Sequence, residues 1–288
     1  MSAAGAPYAP FMEPRTARPP GLSPLDPADW IACDADYAAQ MPERDRLLAE
    51  RPEETLAALP EAGPALAEFR AALLAHLSAR AGWRIDSETA RRPDGAAIPL
   101  ALDVLRLAGR LCQEDFLLMA PATPEYRLVA GVLCFPARWR LSEKIGRPMT
   151  RIHAPVPGYA DQLARRVNRV FEAIAPERPL QRANWLVHAT ARLDLPQSED
   201  EKGPSQDDGR GWFLRTERQT LARLPRSRVV VFGVKTTVTP LDALTVAQRA
   251  ALSAALAALS PDEVAYSGGA AAHRRKLAAL VMGCAAAP

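Results

Sequence analysis

The chain has 288 residues, a net charge of +3, and 48% hydrophobic against 24% charged residues. That length allows a large buried core in one domain or two, and the composition is ordinary for a soluble globular protein. The small, evenly spread positive charge argues against a nucleic-acid surface, and no apolar run approaches the roughly 20 residues of a membrane span.

The first 20 residues are proline-rich and lack an apolar signal core, so they read as a flexible lead-in rather than a secretion signal. Prolines number 27, about 9% of the chain against a usual ~5%, and they fall between elements as punctuation. "DADYAAQMPERDRLLAE" (34–50) predicts a helix broken or kinked at Pro42. In "PALAEFRAALLAHLSAR" (64–80), Leu66, Phe69, Leu73, Leu74 and Leu77 recur at helical spacing. Residues 116–119 and 126–135 read as two buried strands around the turn "PATPE". Leu163, Val167, Val170, Phe171 and Ile174 mark another amphipathic helix. "ANWLVHATA" (183–191) reads as a strand, 195–211 as an exposed polar loop, and 228–238 as the strongest strand of the chain. An alanine-rich helix follows over 241–260. Strands without regular βαβ alternation predict an α+β fold with a mainly antiparallel sheet and flanking helices. The expected organisation is one domain over 21–260, followed by a tail or short helix over 261–288.

Cys33, Cys112, Cys134 and Cys284 form no CxxC pair, which excludes zinc-finger, thioredoxin-like and covalent c-type haem readings. Reduced thiols fit a cytoplasmic protein. The nucleophile elbow, the P-loop, the dinucleotide fingerprint and HExxH are absent, and the four histidines are too far apart for a local metal pair.

Three polar stretches stand where core or bland loop is expected. The first is "KIGRPMTRIHAPVPGYA" (144–160), where Pro155 and Pro157 stiffen a turn beside His153. A ring nitrogen held there can meet a metal or belong to a buried histidine bonded to backbone; His188 is a rival ligand, Cys134 either a thiolate ligand or a small core hydrophobe, and His76 and His273 structural or solvated residues. The second is "QED" (113–115): Glu114 and Asp115 precede the apolar run "FLLM" and need partners. Adjacent strand residues face opposite ways, so at most one enters a shared pocket, while an arginine salt bridge accounts for the other. The third is "RTERQTLARLPRSR" (215–228), where Arg215, Arg218, Arg223 and Glu217 form either an anion-pairing set or a solvated helix laced with ion pairs.

These stretches, with "CQEDFLLM" (112–119), "CFPARWRLSEKIGRPMTRIHAPVPGY" (134–159), "RANW" (182–185) and "PPGLSPLDPADWI" near the start, come in an order that resembles the haem-dependent oxidative N-demethylase family. The resemblance runs from about residue 20 to about 240. It implies a PAS-like core with haem b, and oxygen-dependent demethylation of a methylated secondary or tertiary amine with release of formaldehyde. It also implies electrons from separate flavin and iron–sulfur (ferredoxin-type) partner proteins. On that footing His153 is the expected axial iron ligand, and Arg215 and Arg218 the partners of the propionates. Trp185, with Trp139, would wall the pocket, and Glu114 or Asp115 would hold the cationic amine as the catalytic carboxylate. A non-catalytic PAS-like haem sensor, or a relative that has lost haem, is the alternative.

Overall fold

The computed structural model describes residues 7–13, 21–154, 164–199, 201, 211–266 and 269–282. Pro155, Pro157, Gly158 and Cys284 lie outside them.

After a short 3-10 turn at Pro10–Met12 come strand β1 (Ser23–Pro24), helix α1 (Tyr37–Glu50), a turn of helix α2 (Pro52–Thr55) and strand β2 (Leu56–Ala58). Helix α1 runs through Pro42 instead of breaking there. Helix α3 (Gly63–Ser78) carries the predicted apolar stripe, and a small sheet of β3 (Arg84–Ile85), β4 (Thr89–Arg91) and β5 (Ala97–Pro99) leads to helix α4 (Val104–Leu111). The Asp103 carboxylate starts α4 by accepting from the Arg106 amide. Strands β6 (Asp115–Ala120) and β7 (Arg127–Val132) form the expected hairpin. Two single turns, α5 (Leu141–Lys144) and α6 (Met149–Ile152), and helix α7 (Ala164–Ala173) follow. Three long strands come next: β8 (Leu180–His188), β9 (Phe213–Arg223) and β10 (Val230–Pro240). Helices α8 (Val246–Ala257), α9 (Pro261–Tyr266) and α10 (Gly269–Met282) end the described chain. The Thr245–Gln248 capping box sets the start of α8.

The arginine-rich stretch 215–223 is therefore a strand, not a helix. Its β-branched and apolar residues, Thr216, Thr220 and Leu221, fit a pleated surface, and pairing on both edges overrides any helical charge pattern.

The main sheet has the order β1-β8-β9-β10-β6-β7-β2, with every pairing antiparallel. One face carries Phe116, Leu118, Val231, Ala130 and Val132, and packs on Phe69, Leu73 and Leu77 of α3 and on α1 and α4. The other carries Met119, Leu221 and Val230, and packs on Leu141, Met149, Phe171 and Ile174 around α5, α6 and α7. We call these the α3 face and the α6 face. At one end, Leu214 and Val187 pack with Phe11, α8 and α10. Phe11 is thus buried within the segment read as a flexible lead-in, and the expected tail contains the helices Pro261–Tyr266 and Gly269–Met282.

Arg44 of α1 is the buried hub. It is fully enclosed, pairs with Asp115 Oδ1 at 2.8 Å, and donates to the carbonyls of Gly109 (2.9 Å), Gln113 (3.2 Å) and Glu114 (2.7 Å). Asp115 also accepts from the amides of Cys134 (2.7 Å) and Phe135 (2.9 Å). One ion pair thereby fixes α1, the end of α4, and both ends of the β6–β7 hairpin.

Removing one partner leaves a buried charge uncompensated, which costs roughly 3–5 kcal/mol. Asp115→Ala should lower the stability read by urea unfolding by that amount. A loss below about 1 kcal/mol would show the pair is not what holds this junction.

Candidate functional site

Strand pairing decides which side chains share a face, because directly paired residues in an antiparallel ladder point the same way. Glu217 pairs with Thr236 and Asn184, and Gln219 with Val234 and Arg182. Arg215, Glu217, Gln219, Asn184, Arg182 and Asp115 therefore lie on the α6 face. Arg218 pairs with Lys235 and Ala183, and Trp185 with Thr216, placing both on the α3 face.

His153 belongs to the α6 side. It directly follows α6, and the segment leading into α6 is laced along the start of β7, which β2, paired only with residues 130–132, leaves open. The Met149 amide donates to the Tyr126 carbonyl (3.0 Å), and the Leu128 amide to the Arg147 carbonyl (3.1 Å). Two side chains clamp the turn. Glu125 accepts from the Thr150 amide at its start (2.9 Å). Lys144, itself buried, donates to the Ile152 carbonyl at its end (2.8 Å) and pairs with Glu199. His153 Nδ1 lies 3.0 Å from the Met149 carbonyl. A carbonyl only accepts, so Nδ1 carries the proton and Nε2 is the lone-pair nitrogen. Burial lowers the imidazole pKa, and the Lys144 and Arg182 cations lower it further against the opposing Met149 carbonyl. His153 is thus held as the neutral imidazole that a metal requires.

The other expected site residues separate into two groups. Asp115 and Arg215 are on the His153 side but act as clamps. Arg215, also fully buried, donates to the Leu193 (2.7 Å) and Phe135 (2.5 Å) carbonyls, to Thr236 Oγ1 (3.3 Å) and to Glu217 Oε1 (3.2 Å). Glu114 and Arg218 lie on the α3 face, near enough that the Arg218 charge acts on the Glu114 carboxyl. Glu114 Oε1 accepts from the Ala32 amide (2.6 Å), Arg218 donates to the Asp29 carbonyl, and burial raises the Glu114 pKa. Trp185 stacks edge-on against Phe11 at 5.6 Å, also away from His153. Trp139 lines a cleft with Leu133, Leu141 and Pro196. The rival ligands are placed otherwise. Cys134 is a buried thiol pushed up to about 12 by burial, so it is not a thiolate. His76 packs edge-on to Trp30 at 5.4 Å.

Sequence reading singled out Glu217 but missed the amides of Asn184 and Gln219 that bond to it on the α6 face, and it missed Glu125 and Lys144, which clamp the turn under His153. The period-2 spacing of Arg215, Glu217 and Gln219 was the available signal. Among the described residues, no group of three or more His, Cys, Asp or Glu side chains could hold a metal ion.

His188 gives a measurable consequence of burial. Desolvation, aided by the nearby Arg215 cation, pushes its pKa down to about 3 from 6.5. The unfolded chain takes up this proton below pH 6.5 and the folded chain does not, so stability falls as pH drops through that range. The His188 share between pH 7 and 5 is about 2 kcal/mol. His188→Leu should flatten the pH dependence of the urea midpoint by about that amount, and an unchanged slope would place the titration elsewhere.

A family model described as haem-dependent oxidative N-demethylase, alpha subunit-like, matches residues 21–276. That span contains the whole sheet, the α6 turn with His153 and most of α10. The chain belongs to the haem-dependent oxidative N-demethylase, alpha subunit-like, family.

Proposed function

We propose that this protein is the haem-bearing, oxygen-using subunit of an N-demethylase that removes a methyl group from a secondary or tertiary amine. The haem, of b type, would lie between the α6 face and the α6–α7 cover, with His153 Nε2 as its axial ligand. The observation that carries this reading is the His153 Nδ1 contact with the Met149 carbonyl, in a ring kept neutral by burial.

The residues present fit a haem in three ways. His153 offers an oriented neutral nitrogen. The half-buried Leu117, Phe232 and Ile152 beside the α6-side core offer apolar surface for a macrocycle. Arg182, whose charge acts on His153, is the cation placed to meet a propionate. Arg215 fits that role less well, because its donors are engaged by the backbone. The antiparallel sheet with helices over it is compatible with a PAS-like core.

When bound, haem supplies oxygen activation with electrons delivered from outside the subunit. The chain's own residues do the rest. Met149, Lys144 and Glu125 fix the His153 ring, and the α5–α7 cover screens water from the face. Separate flavin and iron–sulfur subunits are the electron source we propose, in keeping with an alpha-subunit-like family. Cys33, Cys112 and Cys134 are free thiols and no described helix is long and apolar enough to cross a membrane, features that support a cytoplasmic setting.

The test compares two histidine variants after identical haem loading. The parent protein should show a Soret band that shifts on reduction and again with carbon monoxide. His153→Ala should hold haem loosely with an altered spin state, and added imidazole should partly restore the spectrum. His188→Ala should keep the parent spectrum. Colourless parent protein, or loss of the spectrum in His188→Ala alone, would overturn the assignment. Formaldehyde release from a methylated amine, with an artificial reductant, separates the enzyme from a sensor.

A further inference from the structure

Glu217 is a carboxylate only 7% exposed, in the middle strand of the β8–β9–β10 ribbon on the His153 face. Its Oε1 faces Arg215 at 3.2 Å. Its Oε2 accepts from two side-chain amides, Gln219 Nε2 at 3.0 Å and Asn184 Nδ2 at 3.4 Å. Both amides direct their nitrogens at the carboxylate, so their oxygens are the ends turned away from it. No described hydrogen bond uses either amide oxygen. Two oxygens of the cluster thus remain able to accept, Asn184 Oδ1 and Gln219 Oε1, beside the charge of Glu217, whose own Oε2 already holds both amides. Arg215 does not cancel this, since its other three contacts are to carbonyls and a hydroxyl and hold it at Oε1.

We infer that Glu217, Asn184 and Gln219 form the seat for the ammonium group of the substrate, and that the seat selects ammonium ions carrying at least one N–H. This rests on the reading of the α6 face as the haem face, and replaces Glu114 and Asp115 as the amine-holding carboxylates. Oxygen acceptors reward an N–H donor and leave one that is missing unreplaced. The flanking residues on the same face are aliphatic: Val234 pairs with Gln219, and Leu186 pairs with Arg215. They suit N-methyl groups. Phe232 lies two residues further along β10, one ring where a quaternary ammonium is typically met by an aromatic cage. A hard metal ion fits worse, because Ca2+ takes roughly six to eight oxygens. The cluster adjoins the haem ligand through Arg182, which pairs with Gln219 and acts electrostatically on His153.

The experiment titrates haem-loaded protein with trimethylammonium and, separately, tetramethylammonium chloride, reading the Soret band and the heat of binding. Trimethylammonium should bind at least 10-fold more tightly. Glu217→Gln should lose 10-fold or more of that affinity with haem content unchanged, whereas Glu114→Gln on the other face should lose less than 2-fold. Asn184→Leu, which keeps the Arg215–Glu217 pair intact, should weaken binding several-fold and covers the case in which Glu217→Gln fails to fold. Equal binding of the two ions, no binding of either, or parent affinity in Asn184→Leu would overturn the seat. If the protein takes up no haem, the haem reading fails, and the calorimetric arm on haem-free protein still decides the seat.

Discussion

One buried guanidinium organises the junction on which the rest is built. Arg44 has no exposure, and its desolvation is offset by a carboxylate and three backbone carbonyls. Those carbonyls belong to the end of α4 and the start of β6, where helix and strand termini leave acceptors unmatched. Asp115 completes the junction by accepting from two amides just beyond β7. Because Asp115 pairs with Val234 in register, the same interaction sets the phase of β6 against β10. A slip of one residue would move every side chain of the pair to the opposite face.

That phase explains why the chemistry divides as it does. Glu114 and Asp115 are neighbours in sequence but fall on opposite sides of the sheet, as do Arg215 and Arg218 once their segment is a strand. Asp115 and Arg215 stay on the His153 side as clamps. Glu114 and Arg218 bind the 29–32 segment on the other, each through a backbone group. The face with His153 is left with Glu217, Asn184 and Gln219 as its polar cluster. Their period-2 relation is a property of the strand that a helical reading of the same letters hides.

What was legible in the sequence follows from which signals are local. The stripe of α3 and the β-branched run of β10 are one-dimensional patterns, and both appear in the fold where periodicity puts them. Helix α1 was legible but its continuity through Pro42 was not, since tertiary packing of Met41, Leu47 and Leu48 outweighs one lost backbone bond. The small sheet β3–β5 left little trace, because two- and three-residue strands give no measurable alternation. In the site, the importance of His153 came from its surroundings in sequence. The groups that aim it did not, because Glu125 and Lys144 reach it through a strand edge and a helix end. Glu217 was visible in the motif, yet its partner Asn184 lies 33 residues away in another strand.

The recurrent device in this protein is arginine bonded to carbonyls. Arg44 takes three, Arg215 takes two, and Arg223 takes those of Glu172 (2.7 Å) and Ile174 (3.3 Å) at the end of α7. Each closes the end of an element that would otherwise leave acceptors buried, and each carries α4, α7 or the 193 loop onto the sheet. A planar fork with five donors can do this at fixed geometry, where a lysine supplies one rotating ammonium. These buried cations therefore give more of their donors to carbonyls than to carboxylates. They serve the backbone first, and Glu217 is left one oxygen that no arginine occupies. A cation arriving on the α6 face therefore meets a carboxylate whose nearest positive charge is held at its other oxygen by the fold itself.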